Sequence, residues 1–424
     1  MPSSSRTAKI VRYALIAVIV VALIGLLSWY FFLRAEGGAL RARDEGRGAG
    51  MPPPSFGNVI GSTYGNIVEN ISSLVGGGEK SDATAAPPRL WQITKTPVAG
   101  MGFVARGEFA KGSTTPSTVR FVERGTGYVL DADPVSGTLA RLTNTLVPRV
   151  YEALVGPNGV VVLRGFDDET GFVLTNTAQA TSTLASGEPS TLLLSALPQD
   201  IRELALSPSG EEILYLIEQS PGFSIVRAAW DGESPRRIAS VGISGWHMRW
   251  LPDERVILTQ NAAPGAPSYV YELGEDGNFS SLVPGGNTVA VLPRADSSAL
   301  LYGSLSGNSA LVARVDETTS AISLPIRTTT DKCVWAPGVE IVAYCAVPKT
   351  LPSAGGLSGK YRGETHSSDA WWRVDVSAGR VEALHDPGIN VAIDVEGPII
   401  DADGDYIAFM NARDKSLWLL RVAE

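Results

Sequence analysis

A short hairpin pattern that recurs along most of the chain is the feature that most limits its fold. In the last copy, residues 401–422 (DADGDYIAFMNARDKSLWLLRV), an acidic glycine turn is followed by an apolar strand, a polar turn and a second apolar strand. Two such strands cannot cover both of their faces, so the unit has to stack on neighbouring copies. The chain supplies those copies in degenerate form.

Seven hairpins share a strand end, a turn and a β-rich apolar strand. Six of them lie at 155–163, 206–215, 250–258, 292–302, 335–344 and 401–409, and a looser one spans 101–122. Successive turns are about 40 to 50 residues apart except before the last copy, which is the period of a propeller blade. Second hairpins follow, as in 224–240, so the sequence predicts an all-β, seven-bladed β-propeller of four-stranded blades over residues 90–424.

The two ends of this domain look incomplete when each is taken by itself. The last repeat ends after its third strand, at 417–422, and the domain opens with an unpaired strand-like segment, Leu90–Thr94 (LWQIT). If this segment supplies the missing outer strand, the ring closes by joining both ends of the domain. Closure of that kind removes exposed sheet edges.

Two repeats carry a family resemblance, namely 401–422 and 206–238 (LSPSGEEILYLIEQSPGFSIVRAAWDGESPRRI). They resemble the WD40-like (PD40) repeats of TolB-type β-propellers. That pattern runs roughly S-P-D-G-x-x-I-A-F, then R-D-G, then a strand and D-G-x-x-x-R-x-L. The resemblance implies the propeller fold and no particular activity, since the family includes both binding modules and enzyme accessory domains.

Residues 13–33 form an uncharged apolar run. At about 1.5 Å per residue the run spans roughly 30 Å, the thickness of the hydrocarbon core of a membrane. It is longer than the apolar region of a usual signal peptide, so we expect an uncleaved transmembrane helix in a bacterial protein. Lys and Arg flank both ends, so the orientation depends on the short tail, 1–12, which we expect in the cytoplasm with the propeller outside.

Residues 34–89 have the Gly, Pro and Arg content of a flexible linker. Within them, apolar residues recur at helical spacing over 58–75. Two interpretations stay open for this segment. It is either a short amphipathic helix that docks on the domain or the membrane surface, or a helix that mediates self-association.

Composition argues against several classes of function. The formal net charge of -9 makes the chain a poor electrostatic partner for nucleic acid. Its histidines, His247, His366 and His385, show no metal-ligand spacing, and no nucleophile motif is recognisable. The sequence therefore predicts no metal and no cofactor.

The insertion at 347–369, between two strands of the sixth repeat, is the main departure from the pattern. Long loops on rigid scaffolds commonly carry function. Candidate binding residues in and after this loop are charged or aromatic: Lys360, Tyr361, Arg362, Glu364, His366, Trp371 and Trp372. The alternative is an ordinary surface loop, followed by a strand that places one Trp on each face.

Cys333 and Cys345 flank the turn at 337–340 symmetrically. In a hairpin centred near Val339 the two side chains would be directly opposed, within reach of a structural disulfide. The alternative is two buried free thiols that act as small apolar residues. Export of the domain favours the disulfide.

Together these features predict a membrane-anchored, extracytoplasmic propeller at the cell envelope. Its expected role is to bind a protein, peptide or glycan on one face, because a rigid platform is present and no catalytic set is recognisable. The alternative is a propeller-fold hydrolase or lyase with an acidic site at the central channel. Such a site would be assembled from different blades and would leave no local motif.

Overall fold

The computed structural model describes residues 88–105, 117–180, 189–260, 269–283, 288–304, 310–315, 321–350, 359–360 and 362–423. These residues contain 28 strands in seven antiparallel four-stranded sheets, which confirms the all-β, seven-bladed propeller. The predicted transmembrane segment 13–33 and the helical pattern at 58–75 lie outside the described residues. Within the described ranges, no helix has the length and apolarity that a membrane span requires.

Blades 1 to 6 are each built from four consecutive strands, numbered from the central channel outwards. Blade 1 contains β2 (Val98–Ala105), β3 (Ser117–Glu123), β4 (Val129–Ala132) and β5 (Leu139–Arg141). Blade 2 contains β6 (Glu152–Val155), β7 (Val160–Phe166), β8 (Val173–Gln179) and β9 (Ser195–Ala196). Blade 3 contains β10 (Glu203–Leu206), β11 (Glu212–Gln219), β12 (Gly222–Ala229) and β13 (Arg236–Val241). Blade 4 contains β14 (Trp246–Trp250), β15 (Val256–Gln260), β16 (Val270–Leu273) and β17 (Phe279–Ser281). Blade 5 contains β18 (Thr288–Pro293), β19 (Ala299–Ser304), β20 (Ala310–Val315) and β21 (Ile322–Ser323). Blade 6 contains β22 (Cys333–Trp335), β23 (Val342–Pro348), β24 (Asp369–Asp375) and β25 (Arg380–His385).

Blade 7 joins the two ends of the domain. It contains β26 (Val395–Ile400), β27 (Tyr406–Asn411), β28 (Leu417–Arg421) and, as its outer strand, β1 (Leu90–Thr94). Strand β1 runs antiparallel to β28, with Leu90 opposite Leu420. The prediction that the first strand completes the last blade is therefore confirmed, and the ring has no open edge at this position.

The antiparallel strand order gives the propeller two faces that differ in the kind of loop they contain. In every blade the turn between the first and second strands lies at one end, which we call the turn face. In blades 1 to 6 the turn between the third and fourth strands lies at the same end. The loops between the second and third strands, and those that link consecutive blades, lie at the other end, the connecting face. Strand β1 begins at the turn face, beside the end of β28.

Apolar side chains fill the spaces between blades. Strand β14 shows the alternation that makes this possible: Trp246, Met248 and Trp250 are buried in a core shared with blade 3, while His247 and Arg249 are exposed. Blades also approach each other closely at their inner strands. A Cβ atom on Gly100 of β2 would collide with the carbonyl oxygen of Ala153 on β6, so glycine is required there.

Candidate functional site

A buried ion cluster lies on the connecting face where blade 6 meets blade 7. We call Lys332, Ser367, Asp369 and Asp394 the Lys332 cluster. Lys332 ends the 3-10 turn Thr330–Lys332 ahead of β22, Asp369 begins β24, and Asp394 directly precedes β26. The side chains of Lys332, Asp369 and Asp394 are only 1%, 0% and 1% exposed.

Lys332 is the centre of the cluster's hydrogen bonds. Its Nζ donates to Asp394 Oδ1 at 2.5 Å, to Ser367 Oγ at 2.9 Å, and to Asp369 Oδ2. The backbone N–H of Val395 also donates to Asp369 Oδ2, at 2.8 Å. The other oxygen of Asp369, Oδ1, is buried and has no hydrogen-bond partner in the described part of the chain.

Asp394 is held by more donors than Asp369. Ser367 donates to it twice, from Oγ to Oδ1 at 2.9 Å and from its backbone N–H to Oδ2 at 3.2 Å. The His366 Nδ1 atom lies 3.1 Å from Asp394 Oδ2. Burial by itself raises the pKa of Asp394, but the Lys332 charge and the hydrogen bonds from Lys332 and Ser367 outweigh it, so the pKa is lowered. Asp394 is therefore ionised at neutral pH.

A second ion pair lies beside this cluster and involves the inserted loop. Lys360 Nζ donates to Thr329 Oγ1 at 2.8 Å and to Asp331 Oδ2 at 2.6 Å. Burial raises the pKa of Asp331, but Lys360 outweighs that effect and the pKa is lowered. Arg249 of β14 is near enough to interact with the Asp331 charge. Its side chain is exposed, yet the surrounding protein desolvates the guanidinium group and lowers its pKa.

The inner strands also place charges near the channel in other blades. The Nδ1 atom of His247 lies 3.2 Å from Glu203 Oε1, which joins blades 4 and 3. With Arg249 and Asp331, these side chains give a mixture of positive and negative groups. In the described ranges, no three His, Cys, Asp or Glu side chains are grouped so that they could hold a metal ion.

The structure separates the candidate binding residues into different environments. Arg362 and Glu364 pair with each other on the surface, with Arg362 Nε 2.7 Å and Nη2 2.8 Å from the two carboxylate oxygens. Lys360 and His366 contact aspartates at the edge of the channel and in the Lys332 cluster. Tyr361 lies outside the described residues.

The expectation that Trp371 belongs to a binding surface is wrong. Its side chain is 1% exposed and its ring centroid lies 5.3 Å from that of Phe409, in the core between blades 6 and 7. Alternation along β24 explains the difference, because Asp369 and Trp371 point to the buried side and Trp372 points to the other. Trp372 is half-buried opposite Cys345 and Ala383.

Cys333 and Cys345 occupy directly opposed positions of the β22–β23 hairpin. Their Cα atoms are 4.1 Å apart and their sulfurs form a disulfide. Both residues are buried in the core between blades 5 and 6. The bond is therefore structural, and it closes the β22–β23 hairpin, which begins at the residue after Lys332.

The Lys332 cluster was not found from the sequence. Its lysine lies 37 residues from Asp369 and 62 residues from Asp394, so no local motif connects them. One signal was available: Lys332 and Asp394 each stand immediately before an apolar inner strand, a position that the ring buries. A charge at such a position requires a partner of opposite charge.

No protein-family model and no curated protein sequence matches this chain. Among solved structures, TolB from Acinetobacter baumannii aligns at 13% identity and a TM-score of 0.34, over 76% of this chain and 63% of that one. A catalytically inactive virginiamycin B lyase from Staphylococcus aureus aligns at 14% identity and a TM-score of 0.48, over 80% and 100%. The tricorn protease aligns at 10% identity and a TM-score of 0.48, over 82% of this chain but only 35% of its own.

Proposed function

We propose that this chain is a membrane-anchored, extracytoplasmic β-propeller that serves as a rigid binding scaffold at the bacterial cell envelope. The proposed binding surface is the connecting face of blade 6, where the inserted loop returns to the sheet. One observation carries this proposal: the end of the loop is tied to the propeller by buried charges. The exposed residues at the end of the inserted loop are therefore held in a defined arrangement.

Contacts from two blades hold Ser367, near the end of the returning segment 362–368. From blade 7, Arg413 Nη2 donates to the carbonyl oxygen of Ser367 at 2.9 Å, and Asp394 accepts the backbone N–H of Ser367. In blade 6, Lys332 contacts the Ser367 hydroxyl. A surface that is already ordered binds with a smaller loss of conformational entropy, which favours recognition.

The charged residues at the outer side of the loop are free to take part in recognition. Arg362 and Glu364 are exposed, and an exposed ion pair contributes little to stability. Arg is also a residue type enriched at the centres of protein interfaces. A partner that carries its own carboxylate or amide groups can therefore engage Arg362 with little cost to the fold.

Site-specific photo-crosslinking in the full-length protein tests this proposal. A photoreactive residue replaces Arg362 in one variant and, as a matched control, replaces Glu233, which is exposed in a turn of blade 3 on the turn face. We expect a discrete crosslinked species from position 362 in intact cells and none from position 233. Equal labelling at both positions, or no species at position 362, would contradict the assignment of the surface.

The alternative hydrolase or lyase function would use the charges around the channel. These charges come from three parts of the ring, as an assembled site requires: Glu203 from blade 3, His247 and Arg249 from blade 4, and Asp331 from the turn ahead of blade 6. A photoreactive residue at Arg249 distinguishes the two functions. Capture of a small molecule or glycan there, with no species at position 362, would favour the channel as the functional site.

A further inference from the structure

We propose that the folded propeller joins Lys332 to Asp369 by an amide bond between their side chains, with Asp394 acting as the proton carrier. Such an isopeptide bond is a covalent self-modification and is independent of the proposed binding function. The bond would connect the start of β22 with the start of β24, across the base of the inserted loop.

The first argument is the arrangement of charge. One ammonium group and two carboxylates are almost completely buried, and the side chains of all three residues are at most 1% exposed. Keeping several charges away from water is costly even when they are paired. Asp369 carries an additional cost because its Oδ1 atom is buried with no hydrogen-bond partner among the described residues. Amide formation removes the charges of Lys332 and Asp369 together, and the remaining Asp394 carboxylate keeps its hydrogen bonds from Ser367 and its contact with His366.

The second argument is proximity. Lys332 Nζ is in contact with Asp369 Oδ2, and both residues begin strands of the same rigid sheet. An amine and a carboxyl group held in this way react as if each were present at a very high concentration. The Val395 N–H, 2.8 Å from Asp369 Oδ2, is placed to stabilise the negative charge that develops on that oxygen during attack.

The third argument is the position of Asp394. Its Oδ1 atom lies 2.5 Å from Lys332 Nζ, which is hydrogen-bond distance for removing a proton. Ser367 holds this carboxylate with two hydrogen bonds, and His366 contacts its other oxygen. Both oxygens of Asp394 are therefore held by hydrogen-bond partners. The Oδ1 atom of Asp369 has no such partner among the described residues and can depart as water. This difference assigns Asp369 as the electrophile.

The reaction balances without any further reactant. Lys332 starts as an ammonium group and Asp369 as a carboxylate. Asp394 accepts one ammonium proton and passes it to the Asp369 carboxylate, which returns Asp394 to its ionised form. The neutral Lys332 amine then attacks the carbon of the neutral Asp369 carboxyl group, and the C–N bond forms. A second proton moves from the nitrogen to the departing hydroxyl group, and the C–O bond breaks with loss of water. Oxidation states do not change.

The chain contains a matched comparison for the same pair of side-chain types. Lys349 Nζ lies 2.5 Å from Asp386 Oδ1, yet these side chains are 30% and 63% exposed. Water solvates both charges there, so nothing favours their neutralisation. We therefore expect Lys349 and Asp386 to remain unlinked in the same molecule.

Mass spectrometry of the purified full-length protein decides the question. After reduction of the disulfide, we expect the wild-type chain to be about 18 Da lighter than its sequence mass, the mass of one water. After digestion, the peptides that contain Lys332 and Asp369 should be recovered as one branched species. A chain of full mass with two separate peptides would overturn the proposal, and this measurement does not depend on any variant being folded.

Two variants test the assigned roles. Asp394→Asn should restore the full mass of its own sequence, while Asp386→Asn should keep the deficit. Circular dichroism establishes that each variant is folded. A retained deficit in Asp394→Asn would overturn the role of Asp394, and a branched peptide that joins Lys332 to Asp394 would overturn the choice of electrophile.

Discussion

Lys332 Nζ lies 2.5 Å from Asp394 Oδ1, and each of the two side chains is 1% exposed. The contact joins blade 6 to blade 7 across 62 residues of sequence. Each residue stands just ahead of the inner strand of its blade. The contact therefore holds the two blades together at the point where the inserted loop returns to the surface.

Replacing the lysine should be strongly destabilising. Lys332→Met leaves the carboxylates of Asp369 and Asp394 buried without their cation, which we expect to lower the free energy of unfolding by about 3–5 kcal/mol. Lys349→Met removes an exposed partner of Asp386 and should cost at most about 1 kcal/mol. Urea denaturation monitored by circular dichroism measures the free energy of unfolding of both variants. Similar decreases in the two variants would contradict a special role for the Lys332 cluster.

Acid should destabilise the propeller through Asp394. While Lys332 carries its ammonium charge, the pKa of Asp394 is lowered overall in the folded state. The contribution of Asp394 to stability is therefore complete above the unfolded pKa of about 3.9 and is lost as the pH falls through the folded pKa. We expect the free energy of unfolding to decrease below about pH 4. The decrease should be smaller in Asp394→Asn than in the wild-type protein. The control variant Asp403→Asn, which changes an exposed side chain, should show the same decrease as the wild type. Equal slopes in all three proteins would show that Asp394 is not involved.

Closure of the ring by β1 can be tested at a single side chain. Trp91 is 6% exposed and packs edge-to-face on Tyr406, with ring centroids 6.4 Å apart. Trp91→Ala should lower the free energy of unfolding by about 3–5 kcal/mol. Gln92→Ala changes the other face of the same strand and should have a much smaller effect in the same denaturation assay. A negligible effect of Trp91→Ala would show that β1 does not hold the ring.

The disulfide should contribute measurably to stability. Cys333 and Cys345 are separated by 12 residues, and closing a loop of this size constrains the unfolded chain by about 3 kcal/mol. We expect dithiothreitol to lower the urea midpoint of the wild-type protein to that of a Cys333→Ala/Cys345→Ala double variant. The double variant itself should not respond to the reductant. A wild-type midpoint that is insensitive to reduction would contradict this assignment.

The fold could be predicted from the sequence because its signals are local. The turn residues and apolar strands lie within about a dozen residues of one another in six of the hairpins, and a looser seventh copy repeats the pattern. The closing strand Leu90–Thr94 was also accessible, because one strand was left over at the start of the domain and one was missing at its end. Each of these inferences depends on counting strands rather than on knowing which side chains meet.

The site was harder to predict because its contacts are distant in sequence. Alternation shows that Trp371 and Trp372 point to opposite sides of β24, but it does not show which side is buried. The choice depends on Phe409, which belongs to the next blade. Lys332 and Asp394 become neighbours only when the loops between blades are in place. Hydrophobic periodicity contains no information about such pairs.

The order in which the protein is synthesised gives the ring closure a further consequence. The side chain of Arg89 donates hydrogen bonds to the carbonyl oxygens of Arg421 and Val422, residues that the ribosome adds more than 330 positions later. Blades 1 to 6 can each assemble from neighbouring strands as they emerge, but β1 has to wait for β28. Until then the two ends of the propeller domain remain unpaired, and an unpaired strand is prone to aggregation. A chain that terminates ahead of Leu417 never leaves that state.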